Sequence, residues 1–359
     1  MASSIAKLTI VSVVFILFST SVVAFQSNKV SLAFHRFSYG VTGRQHSFSS
    51  SPRSLHSATP NNEPEEGQNA DAPKKRSPVK KAASKKSEES KAERIVGESN
   101  NFMLTADGHR IAYTQCLVEN SNEVVVYLPN LADGRTSPSA SQCKEYCVQN
   151  SLNFLCADWF GRGESSGKLM EATLTRWTND TIAFLNEHMP DVKGGIGGAK
   201  AVLVGSGVGV WVSVLVAMRR PDLVRGIVGI GGDPDFTEDL LWKGLPEKTK
   251  NEIMERGYKE IQWGNKNATY PVTSTLIEDG RSNLVLRGGP RSLPIRCPVR
   301  LIHCMNDDEV PVETSLKLAE CLESRNVVVT MPKEGLETVS IVNGIRQCFE
   351  FTEGYFVRT

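Results

Sequence analysis

The chain has 359 residues, of which 40% are hydrophobic, and its 41 Lys and Arg side chains against 40 Asp and Glu give a formal net charge of +1. Residues 1–97 hold 14 basic and 7 acidic side chains, whereas residues 98–359 hold 27 and 33. An acidic C-terminal part argues against nucleic acid as a partner, because phosphate binding depends on basic surface. No apolar run of about 18 residues follows residue 25, which excludes a multi-span membrane protein and leaves no stable span in the mature protein. Eight cysteines without paired C-x-x-C spacing indicate neither a disulfide scaffold nor a zinc site.

The first 97 residues predict targeting and linker segments. Residues 1–24 have the composition of a secretory signal peptide, with a single membrane anchor as the alternative. Residues 25–60 are basic, rich in serine and free of acidic residues, as transit peptides are. Together they resemble the two-part plastid leaders of algae with complex plastids; secretion and mitochondrial import are the alternatives. Residues 61–97 combine prolines with a basic run and predict a disordered linker.

Residues 98–359 alternate short apolar runs with longer segments of helical period, which predicts an α/β fold with a mostly parallel sheet flanked by helices. The predicted strands are Val124–Leu128, Asn153–Trp159, Ala201–Val204, Arg225–Ile230, Val299–Cys304 and Val327–Met331. The predicted helices cover 138–150, Leu174–His188, Val208–Arg219, 313–324 and 338–352. Residues 233–298 interrupt the alternation and predict a helical cap insertion.

Three of the predicted strands are followed by recognisable motifs. Residues 158–165 read D-x-x-G-x-G-x-S, residues 205–209 read G-S-G-V-G at the start of a helix, and residues 306–311 read N-D-D-E-V-P. Their order and spacing resemble the α/β-hydrolase superfamily over about residues 100–355. Within it, the chain is most similar to the mitochondrial palmitoyl-protein thioesterase of the abhydrolase-domain group.

This resemblance implies a catalytic serine, acid and histidine in that chain order. The G-x-S-x-G frame falls on residues 205–209, and its central position is Gly207, which has no side chain. The acid position is Asp307, which in the alternative interpretation only caps a turn. The histidine is expected near Glu337, and no histidine follows His303.

The remaining serines and histidines do not replace the missing groups. Residues 205–209 correspond to the sharp strand-to-helix turn, or elbow, that presents the nucleophile in this superfamily. Ser206 as nucleophile would place Val204 and Val208 where this elbow requires small residues, and its side chain is expected to point away from the substrate pocket. His303 is expected to be buried and structural, and His109 and His188 to lie at the surface.

Backbone groups of the site are expected to survive. The amides of Val208 and Leu131 could form an oxyanion-type nest, and Gly205 and Gly209 supply the small positions of the elbow. The sequence therefore predicts a hydrolase-like protein without serine-hydrolase catalysis that binds a small apolar or acyl ligand, or a protein. The alternative enzyme would be an ester or thioester hydrolase that uses Asp307 with Glu337, or Cys304.

A dinucleotide-binding unit is the third hypothesis, because two glycines follow a strand and open a helix. Val210 then stands where a third glycine is expected, and Asp233 lies near the place of the ribose-binding acid. No cofactor and no metal site is predicted, since the acidic residues show no metal-ligand spacing.

Overall fold

The computed structural model describes residues 95–119, 121–189, 199–262, 269–335 and 338–351. Residues 1–94 of the predicted leader and linker lie outside these described residues, and so does Glu337. The chain divides into two units between Ala83 and Ser84, and every described residue lies in the second unit. No helix in the described part has the length and hydrophobicity that crossing a membrane requires.

The described residues form strands and helices in alternation. The strands are β1 (Ile95–Leu104), β2 (Arg110–Val118), β3 (Val124–Leu128), β4 (Asn153–Ala157), β5 (Ala201–Ser206), β6 (Val224–Ile230), β7 (Tyr258–Gln262), β8 (Thr269–Thr273), β9 (Val299–Ile302) and β10 (Val327–Thr330). The helices are α1 (Pro138–Gln149), α2 (Leu174–His188), α3 (Val208–Arg219), α4 (Glu247–Arg256), α5 (Ser274–Ser282), α6 (Val312–Cys321) and α7 (Thr338–Glu350), with a 3₁₀ turn at Leu169–Glu171 and a π-helix at Thr237–Trp242.

Eight of these strands form one sheet in the order β1-β2-β4-β3-β5-β6-β9-β10. All pairs from β4 to β10 are parallel, and β2 joins them antiparallel with β1 at the edge. The predicted, mostly parallel sheet is thereby confirmed. Because the carboxyl ends of parallel strands meet at one edge, the residues after β3, β5, β6 and β9 are brought together there.

Helices cover both faces of the sheet. One apolar cluster packs α2, α3 and α6 on the sheet, and the other packs α1 and α7 on the opposite face. Helix α2 begins where the Thr173 hydroxyl accepts a hydrogen bond from the Arg176 N–H, which satisfies a free helical donor. Helix α3 is apolar all around and almost wholly buried, as its sequence predicts for a central helix.

Two hairpins were not predicted from the sequence. The pair β1–β2 precedes the first predicted strand, and the antiparallel pair β7–β8 lies inside the insertion that was expected to be helical. Exposure alternates along β7 and along most of β2, so these strands have one polar face. Half-buried strands lack the continuous apolar runs by which central parallel strands are recognised.

Polar contacts join the two ends of the insertion to each other and one of them to α3. Asp235, fully buried, accepts hydrogen bonds from the N–H groups of Val285 (2.8 Å) and Leu286 (2.9 Å). The Trp211 indole on α3 donates to the Asn283 carbonyl at 3.0 Å. The bonds of Asp235 thus join the two ends of the insertion, and the bond of Trp211 joins its C-terminal part to α3.

The turn from β5 into α3 brings three pieces of backbone into contact. A Cβ on Gly209 would lie 2.1 Å from the Leu128 carbonyl oxygen of β3, and one on Gly205 would lie 2.5 Å from the Gly209 carbonyl carbon. Neither neighbour is a side chain that could move aside. These two positions therefore accept only glycine.

We expect Gly209→Ala to destabilise the domain by about 4 kcal/mol or more, because backbone must move to admit the methyl group. The matched control is Gly244→Ala, since nothing lies within 4 Å of a Cβ at that position. The control should change the free energy of unfolding by less than about 0.5 kcal/mol. Urea unfolding of both variants measures this, and equal stabilities would contradict the contact.

Candidate functional site

The elbow between β5 and α3 presents backbone without a side chain at Gly207, the position that the resemblance assigns to the nucleophile. Gly207 has φ +53° and ψ −121°, a conformation that side chains resist, and its N–H donates to the Ile230 carbonyl at 3.1 Å. It is followed at once by Val208, the first residue of α3, whose N–H has no partner within the helix. The turn therefore presents bare backbone at the carboxyl edge of the sheet.

The side chain of Asn130 fills the space above Gly207. A Cβ at Gly207 would lie 2.3 Å from Asn130 Oδ1 and 2.6 Å from its Cγ. The same Oδ1 accepts a hydrogen bond of 2.7 Å from the Leu131 N–H, one of the two amides expected to form an oxyanion nest. That donor is therefore already engaged by its neighbour. Short Asx side chains commonly satisfy adjacent backbone in this way.

The loop that carries Asn130 and Leu131 is held by the D-x-x-G-x-G-x-S motif. Asp158 accepts from the Arg135 N–H at 2.9 Å and the Glu164 N–H at 3.1 Å, and it forms a buried ion pair with the Arg135 side chain. Ser165 donates to the Asp158 carbonyl and accepts from the Ala112 N–H. The motif thus has a structural function: it links the loops after β3 and β4.

Asp307 lies in the loop after β9, as its position in the sequence implied. Its Oδ1 accepts from the N–H groups of Glu309 and Val310, both at 2.9 Å, and its Oδ2 lies 3.6 Å from His303 Nε2. These bonds make it the turn-capping carboxylate of the alternative interpretation. The side chain remains about one quarter exposed at the edge of the sheet.

His303 is buried, as expected, and both of its ring nitrogens are occupied. Nε2 lies 2.9 Å from the Val310 carbonyl, which can only accept, so Nε2 carries the proton and Nδ1 accepts from the Ser315 hydroxyl at 2.7 Å. A serine therefore does lie beside an imidazole next to an acid. Both side chains are buried beneath the loop, however, so this Ser315–His303 pair offers no nucleophile to a substrate.

The other expected groups do not assemble a nucleophile with a base. His109 lies near Asp107 and Ser166 at its own turn, and His188 bonds the Phe184 carbonyl within α2. Cys304 lies after β9, where its thiol contacts the Lys333 carbonyl at 3.7 Å. Among the described residues, no imidazole nitrogen is bonded to this thiol. The position expected for the triad histidine, Glu337, lies outside the described residues.

Asp233 is a site residue that the sequence pattern indicated only as a possible ribose-binding acid. It follows β6 at the same edge, is 9% exposed, and its Oδ1 is buried without a hydrogen-bond partner. Burial, and after it the negative charges of Asp307 and Glu309, raise the pKa of Asp233 to about 7. Burial also raises the pKa of Glu309. The sequence signal for this group was an acid directly after Gly231-Gly232 at a strand end.

No three His, Cys, Asp or Glu side chains within the described ranges are arranged to hold a metal ion. Of the carboxyl groups at this edge, Asp233 and Glu309 have a pKa that burial raises. The dinucleotide-binding hypothesis depended on the glycine pair at the start of α3. In the structure this pair forms the elbow, and the sheet has the antiparallel strands β1 and β2 at its edge.

Comparison with known proteins identifies the fold. No family model matches the chain. The mitochondrial palmitoyl-protein thioesterase ABHD10 of Mus musculus is 26% identical over 242 residues, which are 66% of this chain and 75% of that protein. Among solved structures, the mouse alpha/beta hydrolase domain-containing protein 10 is 27% identical with a TM-score of 0.58, covering 69% of this chain and 96% of that one. A putative hydrolase from Agrobacterium vitis S4 is 26% identical with a TM-score of 0.62, covering 72% and 100%.

We expect Asp233→Asn to stabilise the protein more at pH 8 than at pH 4.5. A carboxyl whose pKa rises from about 3.9 in the unfolded chain binds its proton more tightly when folded. Its contribution to stability is present below pH ~4 and is lost as the pH rises through about 7. At pH 8 the side chain is charged and buried, which costs on the order of 1–3 kcal/mol of folding free energy, and asparagine removes that cost.

The matched control is Asp222→Asn, because Asp222 is exposed and its pKa is lowered by hydrogen bonding to Arg220. This control should show no gain in melting temperature at pH 8 relative to pH 4.5. Thermal unfolding at both pH values measures the difference. An Asp233→Asn effect independent of pH would contradict the assignment.

Proposed function

We propose that this chain, which has the α/β-hydrolase fold and resembles mitochondrial palmitoyl-protein thioesterases, binds an acyl-type ligand without serine-hydrolase chemistry. The observation that carries the proposal is the elbow itself. Gly207 offers no hydroxyl, and the Asn130 side chain occupies the volume that a nucleophile would need. The protein is thus a binding protein with a hydrolase fold, and it is a pseudoenzyme in the sense that it lacks a complete serine-hydrolase triad.

The absence of a nucleophile at Gly207 is accompanied by an imidazole, that of His303, whose two nitrogens are both hydrogen-bonded within the fold. His303 has both nitrogens bonded inside the fold, to Ser315 and Val310, and so it is not free to accept a proton from a substrate. The Oδ1 atom of Asp307 accepts hydrogen bonds from the Glu309 and Val310 N–H groups of its own turn. Removing one member of such a triad already abolishes most of the catalysis that depends on it, and the losses are not additive.

An apolar ligand is favoured by the side chains around the site. Met305 is 57% exposed and Met331 is 40% exposed, each on a loop at the carboxyl end of a strand, β9 or β10. The two loops are joined by a hydrogen bond of 2.8 Å from the Met305 N–H to the Pro332 carbonyl. Flexible, unbranched thioethers adapt well to hydrocarbon ligands. The loops that carry Met305 and Met331 form an apolar rim, here called the Met305 rim. A fatty-acyl chain matches both this rim and the substrate class in the names of the relatives.

A second candidate function is hydrolysis by carboxyl groups. One observation favours it: Asp233 has a pKa of about 7, and the negative charge of Asp307 contributes to raising it. A carboxyl group of this pKa can exchange protons near neutral pH, which general acid–base catalysis needs. Turnover of a palmitoyl thioester that disappears in Asp307→Ala would establish this candidate, and background-level turnover in the unchanged protein would reject it.

The cellular destination stays a prediction of the leader. A plastid reached through the secretory pathway is the destination that we propose from the composition of residues 1–60. The curated relatives are named as mitochondrial proteins, which supports the mitochondrial alternative.

We expect a fluorophosphonate probe to leave the unchanged chain unlabelled. The triple variant Gly207→Ser, Asn130→Ala, Glu337→His should be labelled, because it restores a hydroxyl, the space for it and an imidazole at the expected position. Its matched control retains Asn130, whose Oδ1 would lie 2.3 Å from the new Cβ. This control should react at least ~100-fold more slowly, since a displacement of about 1 Å has that effect. Stoichiometric labelling of the unchanged chain, read by mass spectrometry, would overturn the proposal.

We expect a palmitoylated thioester peptide to bind and to be recovered intact. Met305→Glu should weaken binding at least ~tenfold, because a carboxylate against the acyl chain has to be desolvated without a partner. The matched control is Leu104→Glu on β1, where an exposed apolar residue (73%) lies at the far edge of the sheet. Calorimetry and mass spectrometry measure binding and integrity. Equal losses in both variants would contradict a ligand at the Met305 rim.

A further inference from the structure

A cavity of about 150 Å³ lies on the face of the sheet opposite α3, between α1 and α7. Its apolar wall is formed by Ile230 and by Ile341 and Ile345 of α7. Ser206 also lines it, because successive residues of β5 point to opposite faces: Gly205 faces α3, and Ser206 faces α1 and α7. The cavity therefore lies on the face of the sheet opposite the side chains that pack against α3.

One polar group of this cavity lacks a hydrogen bond within the protein. Tyr127, on β3, borders the cavity and is 1% exposed, and its hydroxyl is buried without a hydrogen bond. The Ser139 side chain is near enough to influence this hydroxyl, yet the two do not meet in hydrogen-bond geometry. Burial raises the pKa of Tyr127 above its ordinary value, so the hydroxyl keeps its proton and can donate it. Buried hydroxyls of native proteins are nearly always bonded, because leaving one unbonded costs free energy, and an oxygen atom of a bound molecule would supply the acceptor.

The size and charge of the cavity define the class of ligand. None of its lining residues carries a charge, and burying an ion without a partner is costly, so the ligand has to be neutral. Apolar cavities of about 150 Å³ accommodate a benzene-sized molecule. Ser139, Gln142 and Thr338 are exposed and form the entrance, whereas the interior is isoleucine, tyrosine and Cys143.

We propose that the α1–α7 cavity binds a small neutral aromatic or alicyclic molecule whose single hydroxyl or carbonyl oxygen accepts a hydrogen bond from Tyr127. The ring packs against Ile230, Ile341 and Ile345. Binding requires no covalent step and neither Gly207 nor the carboxyl groups of Asp233 and Asp307. The two sites are therefore independent, and loss of one leaves the other intact.

The test titrates the full chain with phenol and with toluene, which has the same shape without the oxygen. Tyr127→Phe should fold at least as stably as the unchanged protein, because it removes an unbonded hydroxyl. It should weaken phenol binding about fivefold, the loss of one ordinary hydrogen bond, and leave toluene binding unchanged. The matched control, Tyr113→Phe, alters a tyrosine that packs against Phe184 and His188, outside the cavity lining, and should change neither affinity.

Amide chemical shifts locate the bound probe. Shifts induced by phenol should fall on α1, α7 and Ser206, and the cavity-filling variant Ile341→Trp should abolish binding of both probes. The proposal is overturned if neither probe binds up to its solubility limit, if Tyr127→Phe and Tyr113→Phe weaken phenol equally, or if the shifts fall on α2 and α3 instead.

Discussion

The site depends on one steric constraint, the close approach of β3, β5 and α3 at the elbow. The Leu128 carbonyl stands 2.1 Å from where a Cβ of Gly209 would be, and the backbone of Gly209 stands 2.5 Å from where a Cβ of Gly205 would be. Helix α3 can therefore start immediately at the strand end, and the loop after β3 is drawn against it. The positions of Gly207 and Asn130 follow from this contact. Gly205 and Ser206, the two residues that end β5, point to opposite faces of the sheet because side chains alternate along a strand.

Because this constraint involves backbone atoms, the packing at the elbow does not depend on a catalytic side chain. The conformation at Gly207 is one that a side chain resists, so glycine there relieves strain rather than creating it. Asn130 then fills the volume above it and satisfies the Leu131 amide. The loop carrying both is fixed by Asp158 and Arg135, which need no catalytic partner. The hydrolase fold is thus well packed with glycine at this position.

The carboxyl edge of the sheet and the cavity between α1 and α7 differ in electrostatics. At the carboxyl edge, burial and, after it, the negative charges of Asp307 and Glu309 raise the pKa of Asp233 to about 7. Between α1 and α7 no lining group is charged, and the unsatisfied atom is the Tyr127 hydroxyl. The ligands that we propose differ accordingly: a long flexible chain at the exposed methionines of the edge, and a compact ring in the cavity. These preferences come from shape and desolvation, and neither requires covalent chemistry.

The amino-acid sequence by itself determined the parallel sheet, the bounds of α2 and α3, and the absence of a hydroxyl at position 207, because continuous apolar runs, helix caps and residue identity are local properties. It did not reveal β1–β2 or β7–β8, whose half-polar strands have only weak local signals. Only the tertiary structure decided that Asn130 occupies the space above Gly207, that Ser315 and Val310 engage His303, and that Asp233 lies within reach of the charge of Asp307. These contacts join residues from different strand ends and loops. Their distances are set by how helices and sheet pack, and no local pattern encodes that.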